Sequence, residues 1–256
     1  MQSSRKPFFW PRTPNSKVGI DFDFTYAFQP IVNARKQEVI SFEALVRGPK
    51  GEPAGSILSR ISDENIFLFD EIGRWKAIEI ASRLKKFRGL NINLSAKELY
   101  YVDLNITATF KASQFNGFPT ENIIFEVTES ECLTDRRNLL KNLKLLQEFG
   151  FMTAIDDFGM GYSGIKLLLE YQPNYVKLDR ALITNIKLDR VKQSVFFGIR
   201  RMCDELSIDI VAEGVETEDE YHWLHKAGVD IFQGYYFSRP AFESFPDVSL
   251  KTYRTL

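Results

Sequence analysis

Cysteine and histidine are nearly missing from this 256-residue chain, with only Cys132 and Cys203, and only His222 and His225. Two cysteines cannot build a disulfide framework, which points to a reducing, cytoplasmic setting. With imidazole and thiol so scarce, a metal site elsewhere in the chain has only carboxylate and amide oxygens to use. Those donors suit hard ions such as Mg²⁺ and Mn²⁺ better than zinc. An excess of one charge is also lacking: 33 Lys+Arg stand against 34 Asp+Glu, for a net charge of -1. A duplex nucleic-acid binder would normally carry a basic surplus. No apolar run approaches the ~20 residues that span a bilayer. Phe8-Phe9-Trp10 is closed by Pro11 and is too short for a signal-peptide core. The composition that remains, 44% hydrophobic and 26% charged, is that of a globular protein.

Residues 1–20 stand apart. They hold Arg5, Lys6, Arg12 and Lys17, are broken by Pro7, Pro11 and Pro14, and contain no acid. Such a stretch reads as a leader or linker, leaving residues 21–256 as the folded domain. From Phe22 onward, short runs rich in Ile, Val and Phe recur at Tyr26–Val32, Val39–Leu45, Leu90–Leu94, Ile123–Val127, Met152–Ile155, Tyr175–Leu178, Ile208–Ala212 and Asp230–Phe232. These have the length and composition of buried strands. Helical patterns lie between them over Asp63–Phe87, Asp135–Phe149, Asp189–Leu206 and Asp219–Ala227, with Thr134 as an N-cap and Gly150 as a C′ stop for the second. Between Ser95 and Asn122 only a partial helix is expected. Strands alternating with helices over this length fit an α/β fold, a TIM-like (β/α)₈ barrel, for which ~250 residues is typical. Asn33–Glu38 is too short to hold a crossover helix, so the first two strands are predicted to be antiparallel.

A polar residue follows or closes seven successive strands. These are Glu43, Asn93, Glu126, Asp156-Asp157, Lys177 with Asp179, Glu213 and Gln233. In a barrel such ends converge on one face, where active sites are built. Any single acid there could be a helix cap; Asp179 could cap a helix, with Lys177 as its ion-pair partner. Taken together, so many carboxylates in one small site repel one another by several kcal/mol (~4 kcal/mol per pair at 4 Å and an effective dielectric of ~20). Divalent cations are the natural compensation. An Asp-Asp pair among other acids suits two ions ~3.5–4 Å apart, as in phosphodiester displacement. The residues alone therefore point to a metal-dependent hydrolase acting on a phosphate ester.

The chain resembles the EAL-domain family of cyclic di-GMP-specific phosphodiesterases. The resemblance rests on Phe28-Gln29-Pro30-Ile31-Val32, Glu43-Ala44-Leu45-Val46-Arg47, Asn93-Leu94-Ser95, Glu126-Val127-Thr128-Glu129, Asp156-Asp157-Phe158-Gly159-Met160-Gly161-Tyr162-Ser163, Lys177-Leu178-Asp179, Glu213-Gly214-Val215-Glu216-Thr217 and Gln233-Gly234-Tyr235, in that order. It implies hydrolysis of cyclic di-GMP to linear 5′-pGpG with two Mg²⁺ or Mn²⁺ ions, Ca²⁺ being inhibitory. By the same resemblance, Glu43, Asn93, Glu126 and Asp156 would hold one ion, and Asp156, Asp157 and Glu213 the second. Lys177 would contact the attacking water and Gln233 would support it. Gln29, Leu45, Arg47 and Asp179 would meet the substrate, and Glu129 would steady the loop after Asp156-Asp157. A homodimer through the helices beside that loop is implied too, with a regulatory partner or a sensor domain as the input. Gly48 stands where many members have Trp, and Met160 and Gly164 where Thr or Ala and Ser are frequent.

Three other signals carry less. Gly159-Met160-Gly161-Tyr162-Ser163-Gly164 spells a dinucleotide fingerprint, but two acids precede it and would face the pyrophosphate. His222 and His225 share a helix face without further soft ligands and read as surface residues. Tyr235-Tyr236-Phe237 reads as packing beside the last strand rather than a base platform.

Overall fold

Alternation of inward and outward side chains along each strand decides this architecture. The computed structural model describes residues 19–84, 88–94, 102–129, 136–159, 161 and 164–248. Residues 1–18 of the expected leader, the cap Thr134, Ser95, Met160, Tyr162 and Ser163 lie outside them.

The strands are β1 (Thr25–Asn33), β2 (Glu38–Arg47), β3 (Gly89–Asn93), β4 (Ile123–Thr128), β5 (Met152–Phe158), β6 (Tyr175–Leu178), β7 (Asp209–Ala212), β8 (Ile231–Phe232) and β9 (Ala241–Phe242). Strands β2 to β8 run parallel in sequence order, and β1 closes the barrel by pairing antiparallel with both β2 and β8. The predicted antiparallel start is thus present, with Gln29 opposite Glu43 in register. The two-residue strand β9 adds to β1. This is a closed (β/α)₈ barrel of mixed sheet. Among the described residues, no helix is long and apolar enough to cross a membrane.

Helices α1 (Ala54–Leu58), α2 (Ile66–Arg83), α3 (Val102–Asn116), α4 (Arg136–Glu148), α5 (Gly164–Leu168), α6 (Arg180–Ile183), α7 (Arg190–Leu206) and α8 (Glu218–Lys226) wrap the sheet. Where only a partial helix was expected, α3 runs for 15 residues. Helix α2 starts at Ile66 rather than Asp63, and Phe87 lies outside the described residues. Local signals explain the sharpest ends. Asp189 accepts from the Val191 and Lys192 amides to start α7, and a Thr217–Glu220 capping box starts α8. The Gly150 amide donates to the Gln147 carbonyl at φ +85, closing α4 as expected. Helix α7 buries Phe196, Ile199 and Cys203 at helical spacing. Burial and neighbouring Asp204 push the Cys203 thiol up to about 12, so this cysteine acts as a packing residue.

Outward side chains such as Ile123, Phe125 and Val127 join the main core under the helices. Inward ones form a second, small cluster of Ile31, Val211 and Ile231, with Ile40 and Tyr175 packed against it. Two residues further toward the parallel strands' C-terminal ends, the same inward positions are Lys177, Glu213 and Gln233; on the reversed β1 it is Gln29. The barrel interior is therefore an apolar layer beneath a polar one.

Candidate active site

The polar layer is organised around one buried ammonium. Lys177 projects inward from β6 with 1% of its side chain exposed. Its Nζ lies 2.7 Å from Glu126 Oε1, 3.3 Å from Asp156 Oδ1 and 3.9 Å from Glu43 Oε2, and also contacts Glu213 Oε1. These acids come from β2, β4, β5 and the end of β7. Amide side chains orient them. Gln233 Nε2 donates to Glu43 Oε2 at 2.6 Å and to Gln29 Oε1 at 3.3 Å. Asn93 Nδ2 donates to Glu43 Oε1 at 3.2 Å, and Asn91 Nδ2 donates to Glu126 Oε1 at 2.7 Å.

Electrostatics show how far the cluster is from balance. Burial raises the Glu126 pKa, reinforced by Glu43 and Asp156 against the opposing pull of Lys177. Burial raises Glu213 as well, with Asp156, Glu43 and Glu126 adding to it. For Lys177, burial disfavours the ammonium, but Glu126, Glu213, Glu43 and Asp156 outweigh it and hold the pKa well above the ordinary lysine value. Asp157 is raised by partial burial and by Asp156 and Asp179.

The acidic pair owes its placement to an irregular strand end. Pairing of β5 with β6 shifts register between Ile155 and Phe158, and Asp157 takes a left-handed backbone at φ +54. A bulge of this kind re-aims side chains at a site, and aspartate tolerates the left-handed region better than most residues. Asp156, Asp157 and Glu213 consequently offer oxygens within 4.8 Å of one another. Behind them, Glu129 holds the turn. Its Oε2 accepts from the Gly159 and Gly161 amides and its Oε1 from Gly164. A Cβ on Gly161 would sit 2.7 Å from Glu129 Oε1, so this close approach requires glycine. The apparent dinucleotide fingerprint is thereby explained: its amides cradle a carboxylate of the same chain, not a pyrophosphate.

The donor set fits divalent cations. Five carboxylates (Glu43, Glu126, Asp156, Asp157 and Glu213) face one ammonium, Lys177, a surplus of four negative charges when all are ionised. Two divalent ions carry the opposite charge. Buried oxygens are also left over: Glu126 Oε2, Asn91 Oδ1 and Gln233 Oε1 have no hydrogen-bond partner, an arrangement that is costly unless an ion or water is bound. All donors are hard oxygens, as Mg²⁺ and Mn²⁺ prefer.

The remaining expected residues divide. Leu45 and Arg47 follow Glu43 along β2 at two-residue spacing, on the same face, and Arg47 Nη1 donates to the Val46 carbonyl at 2.8 Å. Asp179 is the N-cap of α6, accepting from the Ala181 amide at 2.6 Å, and its side chain also meets Asp157. The partners of Lys177 are thus the four acids across the barrel, and a structural Lys177–Asp179 pair is not what forms. His222 pairs with Glu218, while His225 bonds the Val229 carbonyl and stacks on Tyr221. Sequence reasoning missed Asn91, whose inward parity two residues before Asn93 was its only signal. It also missed Arg180, which follows Asp179 and lines the cleft with Glu216 and Tyr235.

A family profile described as "EAL domain" matches residues 20–240. The chain is 31% identical over 232 residues to "Probable cyclic di-GMP phosphodiesterase PdeG" of Escherichia coli (strain K12), covering 83% of this chain and 44% of that protein. It is 30% identical over 225 residues to "Blue light- and temperature-regulated antirepressor BluF" of the same organism, covering 88% and 56%. The chain therefore spans about half the length of these curated relatives. A standalone EAL protein from Vibrio cholerae O395 in its c-di-GMP-bound form superposes with a TM-score of 0.85 at 43% identity, covering 93% of this chain and 100% of that one. Klebsiella pneumoniae BlrP1 in its pH 9.0 manganese and cyclic di-GMP complex gives a TM-score of 0.84 at 36% identity, covering 88% and 58%.

Proposed function

The chain belongs to the EAL domain family, and on that premise we propose that it is a cytoplasmic phosphodiesterase opening cyclic di-GMP to linear 5′-pGpG. The observation that carries this reading is the ring of carboxylates closed around buried Lys177 at the strand ends. Glu43, Asn93, Glu126 and Asp156 would hold one Mg²⁺ or Mn²⁺ ion, and Asp156, Asp157 and Glu213 the other. Such a pair of ions supplies an activated water and neutralises charge developing on the phosphate.

The chain's own groups do the rest. Lys177, held by the acids around it, would set its positive charge beside the attacking water and the phosphate oxygen that gains charge. Gln233 is tied to Glu43 through its Nε2, which leaves its Oε1 to accept from a water and aim it. Gln29, Leu45, Arg47 and Asp179 frame the bound nucleotide. Glu129 holds the turn that sets Asp156 and Asp157, so it is a positioning residue. We place the homodimer contact beside that turn. Glu129→Ala should then lower turnover and shift the monomer–dimer balance together; unchanged values of both, by assay and sedimentation, would refute the coupling. A sensor segment or partner protein would supply the regulatory input.

Incubation with cyclic di-GMP and Mg²⁺, Mn²⁺ or Ca²⁺, followed by chromatography, tests the reading. Linear 5′-pGpG is expected with the first two ions and little with Ca²⁺, and none after chelation. Because BluF is named an antirepressor, a silent receptor is the competing reading; tight binding of cyclic di-GMP with no product under any of these ions would favour it.

A further inference from the structure

Glu129 has a counterpart on the other side of the acid cluster. Glu220 lies in the first turn of α8, is buried, and forms no ion pair among the described residues. Three backbone amides meet its charge instead. Its Oε2 accepts from Glu216 and Thr217, both at 3.1 Å, and its Oε1 from Asn185 at 3.3 Å. Burial opposes ionisation, but these amides outweigh it and hold the pKa below the ordinary glutamate value. A capping box needs only the Thr217 bond. The other two amides belong to the connections that leave β7 and β6, and Asn185 donates from a left-handed backbone at φ +57. Those neighbouring strands carry Lys177 on β6 and Glu213 at the end of β7, whose side chains are in contact.

We infer that Glu220 is a positioning residue: by tying the β6 and β7 connections together, it holds Glu213 in place as a metal ligand beside Lys177 and Asp156. The inference rests on the reading of the acids as a two-ion site. Glu213 is repelled by Asp156, Glu43 and Glu126, so its loop has to be held against that force. The Glu213 amide donates to the Leu178 carbonyl at 3.2 Å. Beyond it, Gly214 takes φ +61, a conformation that side chains disfavour. The Val215 amide then donates to the Gln233 carbonyl at 3.1 Å, and the Val215 carbonyl accepts from Tyr236. Without Glu220, the loop beyond the ladder keeps these ties to the β8 side and only the Leu178 bond toward β6. Glu213, which offers an oxygen within 4.8 Å of those of Asp156 and Asp157, would lose its aim. Each flank of the cluster thus has a buried carboxylate cradled by three amides, Glu129 behind Asp156-Asp157 and Glu220 behind Glu213.

Calorimetric titration with Mn²⁺, alongside turnover at limiting and saturating Mn²⁺, tests this. Glu220→Ala is expected to weaken Mn²⁺ binding by about 10–100-fold, the range for a group that orients a metal ligand from behind. Turnover should fall with it at limiting Mn²⁺ and largely recover at saturating Mn²⁺, with little change in KM for cyclic di-GMP. Glu220→Gln keeps the volume and one acceptor oxygen, so an intermediate loss is expected; it carries the test if Glu220→Ala fails to fold. Thr217→Ala is the control. It removes the hydroxyl that accepts from the Glu220 amide at 3.2 Å but leaves the three amides on the carboxylate, so the melting temperature should drop while Mn²⁺ affinity stays. Wild-type Mn²⁺ affinity in the Glu220 variants, or an equal loss in Thr217→Ala, overturns the inference. Glu220-dependent Mn²⁺ binding without release of 5′-pGpG would defeat the hydrolase reading and leave the inference standing. No Mn²⁺ binding by the wild-type chain would defeat the two-ion reading and the inference together.

Discussion

The two layers inside the barrel come from the same strands and face the same axis, yet their energetics are opposite. Tyr175, Val211 and Ile231 lie two residues before Lys177, Glu213 and Gln233. Below, apolar surface leaves water, a gain of roughly 25 cal/mol per Å². Above, acids are brought together against their mutual repulsion and against the cost of burial. The lower layer and the helix-covered core thus hold the barrel closed, while the upper layer is kept electrostatically unsatisfied for a ligand. Stability and chemistry are separated by one pleat.

Substitutions can break or sharpen that contrast. The largest effect is expected at Lys177. Lys177→Met keeps the volume but removes the charge, and kcat should fall by roughly 10²–10⁴-fold, the range for a group that orients or transfers protons. Its melting temperature should fall too, because four acids lose their counter-ion, and should recover in Mn²⁺ while activity does not. Recovery of both would reduce Lys177 to a structural brace. Next comes Glu43→Ala, expected to lower kcat by about 10²–10³-fold, as when a stabilising group is lost, with the fold retained; near-normal turnover would overturn the metal scheme. Metal alone gives a smaller signal. Mn²⁺ at a hundred times its Kd should stabilise by about 2.7 kcal/mol, a rise in melting temperature of roughly 5–10 °C for a domain of this size. A thermal scan showing no rise would mean that the surplus of acids is tolerated without ions. The smallest effect belongs to the apolar layer. Ile31→Val should cost about 0.5–1.5 kcal/mol, read by denaturant unfolding, and leave kcat of the folded enzyme unchanged. A marked loss of kcat would show that the layers are coupled.

How much of this was legible in the chain depends on periodicity and range. Strand-end residues could be read because a barrel makes those ends converge whatever the details, which is why Glu43, Asn93, Glu126, Asp156, Asp157, Lys177, Glu213 and Gln233 were expected on one face. The antiparallel start followed from the length of Asn33–Glu38 alone. By contrast, β5 was expected to stop at Ile155 but runs to Phe158, because two acids look like a loop while the sheet carries them through a register shift. Helix α3 was only half seen, since polar Asn105, Thr107, Thr109 and Ser113 interrupt its apolar pattern. Ser113 finds its partners in the Phe118 carbonyl and Thr120 hydroxyl, contacts that no local pattern announces. Arg180 escaped for the same reason: it opens α6 whereas Tyr235 follows β8, and only the closed barrel brings both to one cleft.

The edges of β1 have a consequence for how the molecule is made. As a nascent chain emerges, β1 can pair with β2 at once through their short hairpin. Its other edge waits for β8 and then for β9, with Val32 opposite Phe232 and Ala27 opposite Phe242. Phe245 then stacks flat on Phe42 at 4.0 Å and packs edge-on against Phe28, over the flank where the first hairpin lacks a crossover helix. Strands β8 and β9 with Phe245 work as a latch on β1. Until the segment holding β8, β9 and Phe245 has been made, β1 shows an open hydrogen-bonding edge and the rings of Phe28 and Phe42 lack their cover.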